Sequence, residues 1–126
     1  MEGLEIASHN GEGYQALVYF GAWRVAIVNY APRIAKGNIS KIEKHVETDE
    51  VFVLLKGNCD LFIAGSNETY GKIEKVKMEL ERIYNVKKNV WHACALDPDS
   101  LVLIVENGDT SGDNTIRVDL SHTIDL

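Results

Sequence analysis

Proline and cysteine are scarce in this chain of 126 residues, which contains two of each. Pro32 and Pro98 stand far apart and the glycines are spread thinly, so no Pro/Gly/Ser-rich linker divides the sequence. Two cysteines, Cys59 and Cys94, do not make the disulfide framework of a small secreted protein. We therefore expect one domain over residues 1–126, with both thiols reduced and unpaired in a reducing cytoplasm.

Basic charge is also in deficit, since 13 basic residues face 19 acidic ones and the formal net charge is -6. Nucleic-acid binders need a clustered basic face. Here Lys72, Lys75 and Lys77 are interleaved with Glu74 and Glu79, which indicates a solvent-exposed strand or loop. We expect no nucleic-acid partner.

Long apolar runs are missing, and none approaches the roughly 20 residues that a membrane-spanning helix needs. The first residues, MEGLE, lack the basic start and apolar core of a signal peptide. We expect a soluble, cytoplasmic protein with no membrane partner.

Short runs of β-branched and aromatic residues, separated by turn-forming residues, recur along the chain. The expected strands are a hairpin over 16–30 with its turn at 21–22, and runs at 51–55, 60–64, 77–81, 83–86, 90–96, 101–105 and 115–120. The only helical candidate, 34–47, is weakened by Gly37, Ser40 and several β-branched residues. About eight short strands joined by turns predict an all-β sandwich or barrel.

The most specific pattern is the segment GNISKIEKHVETDEVFVLLKG at 37–57. Glu43 and His45 are two residues apart, so on a strand they would point to the same face. A short turn through 47–49 would then bring Glu50, on the next strand, alongside them. A carboxylate and an imidazole that converge in this way form a mixed oxygen and nitrogen site suited to Zn, Mn, Fe or Ni.

The same segment resembles the first motif of the cupin family. That motif runs Gly, five residues, His-x-His, three or four residues, Glu, six residues, Gly. Gly37, His45, Glu50 and Gly57 fall at this spacing, and Glu43 stands where the family usually has its first His.

A later segment, YNVKKNVWHACAL at 84–96, resembles the second cupin motif, in which a His near the start of a late strand supplies the last ligand. His92 occupies that position. Residues 87–89 replace the Pro-x-Gly of the motif, and Leu96 replaces its closing Asn.

The resemblance implies a cupin-type antiparallel β-barrel, also described as a double-stranded β-helix or jelly roll. It implies one divalent metal ion bound by His45, Glu50 and His92, with Glu43 as a fourth ligand, as a catalytic base beside the metal, or as a solvent-facing charge. Within the cupins, the chain looks like a group of small bacterial single-domain proteins that are uncharacterised or labelled ureidoglycolate lyase-like.

Further expectations concern the neighbours of these residues. Cys94 lies two residues after His92 and so on the same face, either near the metal or as a small buried hydrophobe. Trp91 should face away from the pocket. Cupins of this size commonly pair sheet against sheet, so we expect a homodimer, with Trp23 and Trp91 available for the contact.

Two functions are consistent with these residues. The first is a metal-dependent lyase, hydrolase or isomerase that acts on a small polar carbonyl- or carboxylate-bearing metabolite; an Fe site would add dioxygenase chemistry. The second is a non-catalytic barrel that binds a small ligand as a sensor or accessory protein. Charged groups inside the barrel besides the ligands would favour the enzyme, and an all-apolar pocket would favour binding. A barrel that has lost its metal is a third possibility.

Overall fold

The chain is built almost entirely of short β-strands. The computed structural model describes residues 2–126 and contains no α-helix over that range, only a 3-10 turn at Pro32–Ile34. Its ten strands are β1 (Gly13–Phe20), β2 (Trp23–Asn29), β3 (Lys41–His45), β4 (Glu50–Lys56), β5 (Cys59–Ile63), β6 (Glu74–Lys77), β7 (Ile83–Val86), β8 (His92–Leu96), β9 (Leu101–Asn107) and β10 (Thr115–Asp119). The predicted all-β class is confirmed.

Two five-stranded antiparallel sheets form the jelly roll. The first sheet has the order β1-β2-β9-β4-β7 and the second the order β10-β3-β8-β5-β6. Only β1–β2 and β5–β6 connect strands of the same sheet, and at every other connection the chain crosses from one sheet to the other. Alternate residues of both sheets point inward, and the main core includes Phe52 and Leu54 from the first sheet with Leu61 and Leu96 from the second. No helix within residues 2–126 has the length and apolar character of a bilayer span.

The strand predicted at 77–81 lies elsewhere. The paired strand is β6, Glu74–Lys77, and all four of its residues are exposed, in agreement with the solvent-exposed interpretation of this lysine-rich stretch. Met78 turns into the core at 3% exposure, and its N–H donates to the carbonyl of Cys59. Burial of Met78 therefore ends β6 at Lys77, the residue at which the alternating sequence predicts that a strand begins. The helical candidate at 34–47 forms β3 instead.

Trp91 corrects a second expectation. Its side chain does point away from the cavity, but it is only 1% exposed and packs against Ile42 and Ala64. Its Nε1–H donates to the carbonyl of Asn67 at 2.9 Å, and the Nζ of Lys44 lies 4.8 Å from the ring centroid. The availability of Trp91 for a dimer contact was therefore a wrong prediction, because the chain's own loop after β5 covers it.

Gly57, the last glycine of the first motif, is required by both backbone and packing. Its φ is +78°, and a Cβ there would lie 2.2 Å from Ser100 Oγ and 2.7 Å from Ser100 Cα. We predict that Gly57→Ala lowers the free energy of unfolding by about 2 to 4 kcal/mol, from left-handed strain and overpacking together. Urea denaturation measures the change.

Gly65→Ala is the matched control, since Gly65 has the same φ of +78° but nothing within 4 Å of the added Cβ. It should cost only the backbone strain, about 1 kcal/mol. Equal losses at the two positions would contradict the packing argument.

Candidate metal centre

Three side chains from three strands meet at one end of the barrel interior. His45 ends β3, Glu50 begins β4 and His92 begins β8. The Nε2 atoms of His45 and His92 lie 2.8 and 3.0 Å from the same oxygen, Oε1 of Glu50. All three residues are buried, at 7%, 6% and 3% exposure. The motif spacing thus corresponds to real proximity, because the short link at 46–49 carries the chain from the second sheet into the first.

The outer nitrogens of the two histidines are fixed as well. His92 Nδ1 lies 2.9 Å from the carbonyl oxygen of Val90, which can only accept, so Nδ1 carries a proton. His45 Nδ1 lies 2.8 Å from Thr115 Oγ1. Metal-binding histidines are characteristically held in this way, since a hydrogen bond at one nitrogen orients the other toward the ion.

Glu50 and His92 stabilise each other's charged forms in the cluster. Burial opposes ionisation of Glu50, but hydrogen bonds from His45 and His92 outweigh it and lower its pKa to about 2. Burial likewise opposes a charge on His92, but the hydrogen bond and negative charge of Glu50 raise its pKa to about 9. The three residues therefore satisfy one another as a buried ionic cluster when no cation is bound.

Glu43 lies beside this cluster rather than among the surface lysines. It pairs with His92 across the β3–β8 ladder, and it lines the cavities around the cluster. One carboxylate oxygen of Glu43 and one nitrogen each of His45 and His92 all lie within 4.8 Å of one another. Its Oε2 accepts a hydrogen bond of 2.9 Å from Arg117. The solvent-facing alternative is thereby disfavoured, while the ligand and base roles both remain.

Sequence reasoning missed a third carboxylate in the site, Glu106. It stands directly opposite Glu50 in the β4–β9 ladder and is 6% exposed. Arg24 donates to its Oε2 at 3.2 and 2.9 Å, and Tyr14 donates to the same oxygen at 3.0 Å. Burial, then the charge of Glu50, raises the pKa of Glu106 despite the lowering effect of Arg24. Burial also raises the pKa of Tyr14.

The alternation of side chains along β9 indicates the inward position of Glu106. Within the apolar run of β9, Glu106 has the same parity as the buried Val102 and Ile104, so its carboxylate must point inward. Arg24 shares parity with Ala26 and Val28 in β2. An inward carboxylate needs a partner, and an inward arginine on another strand is the natural candidate.

Two cavities of about 650 and 560 Å³ adjoin the cluster. His92 and Cys94 line the first, His45, Glu50 and Glu106 line the second, and Arg33, Glu43 and Arg117 line both. Polar and charged groups are prominent in both linings.

Both cysteines are free. A hydrogen bond with Cys59, followed by burial, raises the pKa of Cys94 well above its usual value, so its thiol stays protonated. Cys94 is partly buried, packs against the main core and lines the first cavity. His9 and His122 line neither of these cavities.

No family model and no curated protein sequence matches the chain. Solved structures do resemble it. A cupin-2 domain protein from Shewanella frigidimarina is 15% identical with a TM-score of 0.56, over 79% of this chain and 84% of that one. The nucleoside dehydratase Pac13 from Streptomyces is 12% identical with a TM-score of 0.62, over 89% and 83%. The TDP-quinovose 3,4-ketoisomerase WlaRB from Campylobacter jejuni is 18% identical with a TM-score of 0.59, over 75% and 69%.

These identities are low, so the likeness concerns the fold alone. The assignment to a ureidoglycolate lyase-like group stays a prediction. The strand order, the two packed sheets and the agreement with these structures lead to one conclusion: the chain has the cupin fold.

Proposed function

We propose that the chain is a metal-dependent enzyme of lyase, hydrolase or isomerase type that acts on a small polar metabolite bearing a carbonyl or carboxylate group. His45, Glu50 and His92 would hold the metal ion. The donor set suits this role, because two imidazole nitrogens already converge on one carboxylate oxygen at 2.8 and 3.0 Å. Imidazole and carboxylate together suit Zn, Mn, Fe or Ni. When bound, such an ion would act as a Lewis acid on the substrate's oxygen.

The observation that carries the enzymatic proposal is the set of ionisable groups that surround this cluster without belonging to it. Glu43, Glu106, Tyr14 and Arg24 all line the second cavity. Burying a carboxylate such as Glu106 is costly unless it is paired, and a barrel that only held a ligand would have no need of it or of the partly buried Glu43. Groups of this kind are what proton transfer requires.

Glu43 is the residue best placed to move a proton. Arg117 bonds to its Oε2, and no hydrogen bond to its Oε1 occurs among residues 2–126, so that oxygen is available to a substrate in either cavity. Its position beside His92 would place it next to the reacting group of a substrate held at this cluster. Glu43 would then accept a proton from the substrate or return one.

The neighbouring structures support enzymatic chemistry in this fold. Two of them are named as a nucleoside dehydratase and a ketoisomerase. The fold thus accommodates elimination and isomerisation on small molecules, which agrees with the reaction classes proposed here.

A hydrogen-exchange assay tests the proposal without knowledge of the substrate. Metal-loaded protein is incubated in D₂O with a set of small 2-oxo acids and keto sugars, and NMR follows deuterium incorporation next to the carbonyl or the appearance of product. We expect exchange that disappears in His92→Ala and falls at least about 100-fold in Glu43→Gln, as for loss of a general base.

Two other outcomes would contradict catalysis. Saturable binding of one of these compounds without exchange or product would favour the non-catalytic ligand-binding barrel. A wild-type protein that takes up no metal would favour a barrel whose His45, Glu50 and His92 form only a structural ionic cluster.

We also propose a homodimer, formed through the outer face of the first sheet. Here the outward-pointing residues of three adjacent strands are apolar and only partly exposed: Val25, Ile27, Val51, Val53, Leu103 and Val105. None belongs to a hydrophobic core cluster or packs against one. Because these six residues are uncharged, two copies with a net charge of -6 can meet here without bringing like charges into contact.

Sedimentation at micromolar concentration should find a dimer that Leu103→Lys converts to monomer, since Leu103 lies on the middle strand of this face. Ile116→Lys is the control, because Ile116 is 46% exposed on β10 of the other sheet. A monomeric wild type would contradict the dimer, and a dimer that survives Leu103→Lys would contradict this face.

A further inference from the structure

Arg33 differs from the other arginine and lysine side chains that line the two cavities. Arg24 is paired with Glu106, Arg117 with Glu43 and Lys41 with Asp119. Among residues 2–126, Arg33 has neither an ion pair nor a side-chain hydrogen bond; it is exposed to solvent and lines both cavities.

The backbone of Arg33 is nevertheless held firmly at the cavity. It lies in the 3-10 turn Pro32–Ile34, where Pro32 restricts φ and Ile34 packs against two core clusters. Asn38 Nδ2 donates to the carbonyl of Pro32 at 2.9 Å and closes this turn. The guanidinium reaches across to β1, where its Nη2 would lie 3.1 Å from a Cβ added to Gly13.

The balance of charges in the two cavities indicates a binding role for the Arg33 guanidinium. Each carboxylate of the site already has a partner: Glu106 pairs with Arg24, Glu43 with Arg117, and Glu50 accepts hydrogen bonds from the two histidines. One guanidinium is left over, in a protein whose net charge is otherwise strongly negative. A guanidinium forms two parallel hydrogen bonds with a carboxylate or a phosphate.

We propose that Arg33 binds an anionic group of the substrate, a carboxylate or a phosphate ester, and so restricts the proposed enzyme to anionic metabolites. This inference rests on the proposed function for its biological meaning, but anion binding at Arg33 can be measured separately. The substrate would lie between two fixed points, with its anion at Arg33 and its reacting oxygen at the His45, Glu50 and His92 cluster. Arg33 would thereby determine specificity and orientation.

The test titrates the full chain, both metal-loaded and chelator-treated, with malonate, inorganic phosphate and the neutral malonamide. Dissociation constants come from NMR, with the Arg33 side-chain Nε–H signal as the local readout. In both forms we expect the preferred anion to bind at least about tenfold more weakly to Arg33→Ala, as for loss of a charge-assisted pair of hydrogen bonds. Preference for malonate or for phosphate identifies the group as carboxylate or phosphate ester.

Lys41→Ala is the matched control, because it removes one positive charge from the same cavity lining at a residue already paired with Asp119. It should weaken anion binding less than about threefold, since the ammonium of Lys41 is already neutralised by Asp119 whereas Arg33 has no such partner among residues 2–126. Equal weakening by both variants, equal affinity of wild type and Arg33→Ala, or malonamide binding as tightly as the anions would each overturn the proposal.

Metal content separates this inference from the proposed function. Arg33→Ala should retain the metal content of the wild type, because Arg33 is not among the proposed ligands. A wild type that holds metal but whose anion affinity does not depend on Arg33 would overturn only the anion site. Arg33-dependent anion binding in a protein that holds no metal would overturn only the metal centre.

Discussion

Replacing His92 with Ala should abolish stoichiometric binding of a first-row metal ion. The substitution removes one of the two imidazoles that converge on Glu50, and with it the nitrogen oriented by the Val90 carbonyl. Loss of a group that merely orients a ligand typically weakens metal affinity by about 10- to 100-fold, so loss of the ligand itself should exceed about 100-fold. Elemental analysis of the purified protein and titration of the chelator-treated protein measure the effect, and His45→Ala should behave in the same way.

The barrel should stay folded in these variants. Circular dichroism should show unchanged strand content, because the core is formed by Phe52, Leu54, Leu61, Leu96 and their neighbours rather than by the cluster. Glu43→Gln then distinguishes two roles: metal content should fall if Glu43 is a ligand and remain if it is a base. Full metal content in a folded His92→Ala would contradict the proposed centre.

Metal affinity of the wild type should also fall as the pH is lowered. Each imidazole must be unprotonated to bind, and in the metal-free protein Glu50 raises the pKa of His92 to about 9. The proton therefore competes with the metal over a range that extends above the usual histidine range. Titrations at pH 6, 7.5 and 9 compare the affinities, and a pH-independent affinity would argue against histidine ligation.

The proximity of the proposed ligands His45, Glu50 and His92 could be predicted because their arrangement is local or follows a motif. Glu43 and His45 share a face through the two-residue period of a strand, and Glu50 follows after one short link. His92 required the family resemblance, since nothing in the local sequence states which strand β8 lies beside. The pairing of Glu43 with His92 across β3 and β8 places His92 beside the other residues of the cluster.

Glu106 and Arg24 escaped prediction because their relation is one of register between distant strands. β2 and β9 are adjacent in the first sheet although some 70 residues separate them, and Arg24 faces Glu106 only in the observed register. The two-residue period of each strand predicts only that both side chains point inward, not that they meet. Two other predictions were wrong because of tertiary packing. In place of the strand predicted at 77–81, β6 ends at Lys77 because Met78 is buried, and Trp91 is unavailable for a dimer contact because the loop after β5 covers it.

Replacing Arg24 with Ala should destabilise the fold strongly. Arg24 and Glu106 form an ion pair of 2.9 Å with side-chain exposures of 14% and 3%, so the variant leaves a buried carboxylate without its cation. Removing one partner of a buried pair typically costs about 3 to 5 kcal/mol, and we expect a loss near the lower figure because Tyr14 still donates to Glu106. Urea denaturation at pH 7 measures it, with Arg117→Ala, from a more exposed pair, expected to lose about 1 kcal/mol or less.

The loss in Arg24→Ala should depend on pH in a definite direction. The pKa of Glu106 in the folded protein already lies above its ordinary value of 4.5, and removing Arg24 raises it further because Arg24 opposes the shift. A carboxyl whose pKa is raised on folding destabilises the fold in its ionised form, and the cost disappears as the pH falls below the unfolded pKa. The difference in the free energy of unfolding between wild type and Arg24→Ala should therefore shrink as the pH is lowered from 7 toward about 4.5.

Glu106→Gln in the Arg24→Ala background should recover most of the loss at pH 7, because the uncharged amide needs no cation. A deficit that is independent of pH, or that survives Glu106→Gln, would mean that Arg24 stabilises the barrel by packing rather than by neutralising the buried carboxylate.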